Sequence, residues 1–477
     1  MNKKNNITTF FSQVAFALVL ISVFGCNKWL DVKPKTEVKE DELFKTESGF
    51  KDALSGLYVS LTSTETYGDY LTLSFLDVLA QRYYMQSNYA NYQVSQYNYE
   101  DAGVRSKLKG IWLGMYNAIA NANNIIKFSD QNKSVLSDVD YALIKGEALG
   151  LRGFLHFDLL RMFGPTYAES QKPSIPYANT IGLDVYEQLT VEQVVDKIVE
   201  DLKAAEQLLS VYPDIPDLED DPPVNSLLGF RQNHFNYWAA KATLARVYLF
   251  KGDKPQALNY AQQVIGSGKF RFVLQTEIDG TGITVDRVFT KEHIFSLHDV
   301  KLTPKIETYF KGKSLTSLTH NLNVIDLVFE VASGGSSDYR RAYLWEMAGG
   351  LSNYYPSKMW QEESASQSVK QLIPVIRLPE MFYIAAECTN DVSAAVQLLN
   401  QVRANRGIAA LPTTLTSEQV NQEIFKEYRK EFFCEGQLFY YYKRKSFQNI
   451  EGTDKTMTNA IYVLPMPDDE ILFGNRK

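Results

Sequence analysis

Four carboxylates step by four residues along one stretch of this chain: Glu423, Glu427, Glu431 and Glu435. On one helix they would share a face. Paired carboxylates are the equipment of acid–base catalysis, and a glycosidase needs two of them about 5–9 Å apart across one sugar bond. Adjacent helix turns give that spacing but no cleft to hold a sugar. Like charges at this step repel unless compensated. Lys426, Arg429 and Lys430 stand close enough in sequence to compensate. The ladder therefore reads as ion pairing, and no catalytic residue is expected. His293 and His298 are five apart and do not share a helical face. Cys388 and Cys434 fall in helical patterns and read as buried thiols. No Gly-rich phosphate loop, HExxH or Gly-x-Ser-x-Gly occurs. With 5 His and 3 Cys in 477 residues, neither a metal centre, a cofactor nor a disulfide framework is expected. Residues 211–225 hold Asp214, Asp217, Glu219, Asp220 and Asp221 among four prolines. Carboxylates suit calcium, but EF-hand spacing is missing, so this stretch reads as a solvated, proline-stiffened loop.

The other chemistry available is recognition by aromatic rings. The chain holds 29 Tyr, 27 Phe and 5 Trp. Eight tyrosines fall within residues 67–99: Tyr67, Tyr70, Tyr83, Tyr84, Tyr89, Tyr92, Tyr97 and Tyr99. Among them stand Gln86, Ser87, Asn88, Asn91, Gln93, Ser95, Gln96 and Asn98, with no apolar stripe to bury. Rigid amphipathic rings interleaved with amides resemble the composition of a paratope. A sugar needs both: a flat ring for its C–H face and amides for its hydroxyls. A second cluster comprises Tyr339, Tyr343, Trp345, Tyr354, Tyr355 and Trp360. The ligand-binding candidates are Tyr83, Tyr84, Asn88, Tyr89, Asn91 and Tyr92 in the first cluster, and Trp345 and Tyr354 in the second. The alternative is that these rings pack the domain or face a protein partner. A net charge of −7 argues against nucleic acid as that partner.

The elements that must position these residues are helices. Residues 1–25 read as a signal peptide: Lys3 and Lys4, then an apolar stretch densest from Val14 to Phe24, too short to span a bilayer. It ends in Val23-Phe24-Gly25-Cys26, which resembles a bacterial lipobox, with Cys26 as the lipid-attachment residue. Residues 26–42 read as a tether. Thr190-Val-Glu-Gln193 is a capping box. Val191, Val194, Ile198, Leu202, Ala205 and Leu209 follow it as one apolar face. Ala148, Leu151, Leu155, Leu159 and Met162 form a second stripe that stops at Gly164-Pro165. Residues 235–250 are apolar nearly all round, as in a buried helix. Leu244-Ala245 through Gly252-Asp253 to Ala257 looks like a tetratricopeptide hairpin. Ala385, Ala386, Ala394, Ala395 and Leu398 look like a looser copy. Strand signals are few, for example Phe270 to Leu274. The expectation is an all-α chain of tetratricopeptide-like helix pairs, with a loop-rich insertion at about 271–370.

Several segments together resemble the SusD/RagB family of outer-membrane nutrient-binding lipoproteins. They are Trp29-Leu30-Asp31-Val32-Lys33-Pro34, Trp112 to Asn123, Gly146 to Leu159, Pro374 to Glu380, Leu399 to Arg403, Glu427 to Gly436, and Leu464-Pro465-Met466-Pro467. The resemblance implies a SusD-like N-terminal helical region at 43–230 and a more irregular C-terminal region at 231–477. It implies a lipid-anchored protein on the external face of an outer membrane. It implies a SusC-like TonB-dependent transporter as partner, and an oligosaccharide, or in one branch a peptide, as ligand. It also makes Glu427, Glu431 and Glu435 structural ion-pair residues. A repeat scaffold that binds no ligand is the remaining alternative.

Overall fold

Thr190 opens its helix as its capping box predicts. Its hydroxyl accepts from the Gln193 amide at 3.3 Å and the Gln193 side chain accepts from the Thr190 amide at 3.0 Å. The same device recurs along the chain: a short polar side chain accepts from amides that the first helical turn leaves unpaired. Thr46 caps α1 (Glu47–Leu61), Asp101 caps α2 (Ala102–Gln131) and Ser137 caps α3 (Asp138–Phe163). Thr190 caps α4 (Val191–Leu209), Asn236 caps α5 (Tyr237–Lys251) and Asp253 caps α6 (Lys254–Ile265). α7 (Leu378–Cys388) is followed by Asp391-capped α8 (Val392–Ala404) and by α9 (Ser417–Glu431), which has a second capping box at Thr416 and Gln419. α10 (Gln437–Arg444) completes the set of longer helices used below.

From α1 to α8 each helix packs on the next one in chain order. That is the contact pattern of stacked helical hairpins. The α5–α6 hairpin turns at Gly252, whose φ of +80° is the left-handed conformation that ends a helix, and restarts at once on Asp253. α7–α8 is the second hairpin, and it packs against α6. α4 buries all six stripe residues named above. α3 is not merely striped: from Gly146 to Phe163 every residue is buried. It ends at Gly164 as expected. The fold is therefore all-α and tetratricopeptide-like.

This computed structural model describes residues 40–182, 185–215, 227–280, 285–312, 314–347, 353–361 and 369–476. The signal peptide, Cys26, most of the tether, and Asp217 to Asp221 lie outside them. Two units are distinguished, Met1–Lys45 and Thr46–Lys477. The described part of the first is a short helix, Glu40–Leu43, with Lys45 paired to Glu42 at 2.7 Å. Among the described residues no helix is long and apolar enough to cross a membrane.

Strands are short. β1 (Pro173–Pro176) pairs with β2 (Gln188–Thr190). β3 (His293–His298) pairs antiparallel with β7 (Leu372–Arg377), His293 opposite Arg377 and His298 opposite Leu372. β4 (His320–Asn321), β5 (Trp345–Met347) and β6 (Asn353–Pro356) form a sheet with β6 in the middle. The strand expected at Phe270 to Leu274 does not form. Arg271 N donates to Lys291 O, but Val273 N and Leu274 N donate to the carboxylates of Glu292 and Glu277, so no ladder is built.

Candidate functional site

Three of the four rungs of the acidic ladder are deeply buried, and Glu423 is half-buried. Glu427, Glu431 and Glu435 are at most 3% exposed. Only the first two are on α9. Glu435 follows Cys434 and precedes Gly436, both in left-handed backbone, so the ladder leaves the helix before its last rung. The compensating charges come mostly from far away in sequence. Arg377 reaches Glu431 at 2.6 Å, Glu435 at 2.6 Å and Glu292 at 3.0 Å. Arg406 reaches Glu292 at 2.8 Å and Glu431 at 2.9 Å. Arg340 reaches Glu431 at 2.8 Å and Glu427 at 2.9 Å, and Lys358 pairs with Glu435. The expected local partners are minor. Lys430 lies 3.4 Å from Glu427, Lys426 serves Glu423, and Arg429 turns away to Glu451. Burial alone would raise the pKa of Glu427, but Arg340, Lys430 and Arg403 outweigh it and hold it at about 2. Glu427 therefore stays ionised at neutral pH, and its ion pairs tie α9 to segments far away in sequence.

His293 is buried and hydrogen-bonded to the Val288 carbonyl, while His298 is exposed. Cys388 and Cys434 are buried free thiols, each raised by burial to about 12. No cluster of three or more metal-ligating side chains exists among the described residues.

The aromatic candidates divide sharply. Tyr83 is buried: its hydroxyl donates to the Leu73 carbonyl at 2.9 Å and its ring lies 6.3 Å from Phe310. Asn91 is 6% exposed, in the position before the short helix Tyr92–Ser95. Trp345 packs edge-on against Phe433 at 4.6 Å and is likewise buried. These three pack the domain and are corrected from ligand contacts to core. Tyr67, Tyr97 and Tyr355 are also buried, with hydroxyls on Asp158, the Leu79 carbonyl and the Gly312 carbonyl.

Tyr84, Asn88, Tyr89, Tyr92 and Tyr354 are placed differently. Tyr84 is 46% exposed, Asn88 is exposed, and Tyr89, Tyr92 and Tyr354 are half-buried. Among the described residues none of these four tyrosine rings stacks on another ring, unlike most aromatic side chains of the core. The fold brings the two sequence clusters to one place through a segment that aromatic density does not single out, residues 314–321. Tyr84 N donates to Thr319 O at 2.8 Å and Ala90 N to Leu315 O at 2.9 Å. On the other side His320 pairs with Tyr354 and Asn321 with Asn353. Tyr84 and Tyr354 thus flank one short strand. Gln86 Nε2 donates to the Tyr84 hydroxyl at 3.5 Å and Asn353 Nδ2 to the Thr319 hydroxyl at 3.4 Å. His320, largely buried beside Arg82 and Arg429, is pushed down to about 3 and is neutral. Exposed Met347 lies opposite Tyr354 on β5. Tyr84 lies opposite Thr319 and Tyr354 opposite the next residue, His320, so the pairing joins the backbones of the two clusters, while successive residues of the segment turn to alternate sides. Rings and neutral amides of this kind can bind a polyhydroxylated or peptide-like surface.

The larger grooves lie elsewhere. One of about 410 Å³ runs along α2 past Leu113 and Tyr116 to Ile181 and Phe473. Another of about 390 Å³ lies between α2 and the Pro465–Pro467 segment, bridged by Arg105–Asp468 and Lys109–Asp469. Neither contains a sequence-predicted site residue.

Comparison with known proteins finds two family models on this chain. One, SusD-like_3, described as starch-binding and associating with the outer membrane, matches residues 28–249. The other, SusD_RagB, described as the SusD family, matches residues 328–475. SusD-like protein P2 of Formosa agariphila is 24% identical, over 96% of this chain and 97% of its own. A SusD superfamily crystal structure from Bacteroides thetaiotaomicron superposes with a TM-score of 0.70 at 22% identity, over 90% of this chain and 98% of that one. A SusD-like carbohydrate binding protein from Bacteroides vulgatus superposes with a TM-score of 0.69 at 18% identity, over 90% and 97%. These two structures share the fold, and the two family models, which together span most of the sequence, show that the chain belongs to the SusD/RagB family.

Proposed function

We propose that this protein is a surface lipoprotein that captures an oligosaccharide and passes it to a SusC-like TonB-dependent transporter in the outer membrane. The observation that carries the reading is that Tyr84, Tyr89, Tyr92 and Tyr354 are exposed or half-buried, stack on no other ring among the described residues, and lie on two segments that residues 314–321 join. Ring faces and amides together match the alternating C–H and hydroxyl surfaces of a sugar. The family description, starch-binding and associating with the outer membrane, and the carbohydrate-binding relative from Bacteroides vulgatus support the same class of ligand. The protein acts by binding alone, since its clustered carboxylates are locked in ion pairs. Cys26 carries the lipid after residues 1–25 are removed, and the chain stands on the external face.

Glycan-array screening followed by calorimetry tests the ligand. The expected result is binding to an oligosaccharide that weakens in the Tyr84→Ala protein. Affinity for peptides with none for any glycan would overturn the sugar reading in favour of the peptide branch. Affinity for neither would leave a scaffold. Metabolic labelling with an alkynyl fatty acid tests the anchor: label and membrane retention are both lost in Cys26→Ala. Pull-down from detergent-solubilised outer membranes tests the transporter, which is expected to co-purify.

A further inference from the structure

We propose that Gln81 is a positioning residue for ligand binding. With Tyr97 it clamps the base of the loop that carries Tyr84, Tyr89 and Tyr92, and so holds those rings in place before a ligand arrives. The inference rests on the preceding reading, that these rings meet the ligand.

The loop runs from Arg82 to Gln96. From Tyr84 to Gln93 every residue except Asn91 is exposed or half-buried, so packing gives this stretch little hold. Its outer side is pinned to residues 314–321 by the bonds from Tyr84 N to Thr319 O and from Ala90 N to Leu315 O. Its base is closed in another way. Among the described residues no backbone hydrogen bond joins residues 79–83 to residues 95–99. Two side chains join them instead. Gln81 Nε2 donates to the Ser95 carbonyl at 2.9 Å and to the Tyr97 hydroxyl at 2.9 Å. The Tyr97 hydroxyl in turn donates to the Leu79 carbonyl at 3.0 Å. Each side chain thus reaches across the base to the backbone of the other arm.

The backbone is strained at both halves of this clamp. Gln81 has a φ of +57° and Tyr97 a φ of +53°. Large side chains rarely adopt the left-handed region, and such strain persists only where the surroundings over-determine it. Here two strained residues are bonded to each other across the base of one loop. Gly452 backs Gln81 closely: its φ is +95°, and a Cβ there would lie 2.8 Å from the Gln81 Cβ. A loop that is ordered only on binding loses affinity to its own ordering. A loop closed beforehand does not. Gln81 gives its amide to the clamp and acts on the ligand only through the rings.

The test uses the full folded chain. Gln81→Gly removes the clamp and relieves the left-handed strain, so the urea midpoint is expected to change little. Hydrogen exchange at residues 85–93 of the ligand-free protein is expected to quicken about tenfold, with α3 and α5 unchanged. Affinity for the glycan found by array screening is expected to fall about five- to tenfold, with the loss in the entropic part of the calorimetric signal. Tyr97→Phe keeps the ring and is expected to act in the same direction. The double variant is expected to lose no more than the larger single one, because both break one clamp. Unchanged exchange in Gln81→Gly overturns the proposal. So does faster exchange with unchanged affinity. So does a lowered urea midpoint with full affinity in the folded fraction, which is how a merely structural bond behaves. A wild-type chain that binds peptides and no glycan overturns the sugar reading alone, and the affinity comparison is then made with the peptide. A wild-type chain that binds neither overturns both.

Discussion

Arg377 and Glu431 meet at 2.6 Å with neither side chain exposed to solvent. Arg377 also holds Glu292 and Glu435, and Glu431 also holds Arg340 and Arg406. Removing one partner of a buried pair strands a charge in low dielectric, which costs about 3–5 kcal/mol. Arg377→Met and Glu431→Gln are each expected to lose stability of that order in urea titrations. Their double mutant is expected to lose less than the sum, because the second change removes the charge that the first one stranded.

The same network sets the acid limit of the protein. Burial raises the pKa of Glu431, but Arg406, Arg377 and Arg340 outweigh it and hold it well below 4.5. Glu427 sits at about 2 for a like reason. A carboxylate with a lowered folded pKa contributes stability that is complete above its unfolded value of 4.5 and is lost as pH falls toward the folded value. Tm is therefore expected to fall steadily from pH 4.5 to pH 2. The slope is expected to flatten in Glu427→Gln. Asp77, raised by burial to about 7, runs the opposite way: its contribution is lost as pH rises from 3.8 through 7.

Gly436 is the turn that lets Glu435 leave α9 and enter the network. Its φ is +66°, and a Cβ there would lie 2.1 Å from the Leu71 carbonyl oxygen. Asp77 holds the turn by accepting from Cys434 N at 2.7 Å and Gly436 N at 3.2 Å. Gly436→Ala is expected to cost about 2–4 kcal/mol, measured by chemical denaturation, because backbone strain and a clash with backbone coincide.

Local signals were legible in the sequence and distant pairings were not. The capping box at Thr190 needs only residues three apart, and it formed as read. So did the Gly252-Asp253 turn. The acidic ladder was legible as ion pairing. Its true partners were not, because Arg340, Arg377 and Arg406 are brought to it only by tertiary packing. Tyr83 and Tyr84 are neighbours of one residue type, yet one is core and the other surface. What separates them is the bridge to Thr319, whose segment carries no Tyr, Phe or Trp and no motif. Composition marked the aromatic stretch but could not say which way each side chain turns. Asn91 and Trp345 were misplaced for the same reason.

That contrast between neighbours gives the sharpest test of the binding face. Tyr84 is 46% exposed and its ring stacks on no other ring among the described residues, so Tyr84→Ala is expected to change stability by no more than about 0.5 kcal/mol. If the face binds ligand, the same change weakens binding about tenfold, the equivalent of about 1.4 kcal/mol. Tyr354→Ala is expected to act similarly from the other side of the 314–321 segment. Tyr83 is 5% exposed and gives its hydroxyl to the Leu73 carbonyl. Tyr83→Ala is expected to cost about 3–5 kcal/mol of stability by opening a cavity, while ligand affinity of the fraction that remains folded is kept. Calorimetric affinities and urea midpoints for the three variants separate the two roles. Unchanged affinity in both Tyr84→Ala and Tyr354→Ala would remove the face from the binding mechanism. A loss of stability in Tyr84→Ala as large as in Tyr83→Ala would show its ring to be core after all.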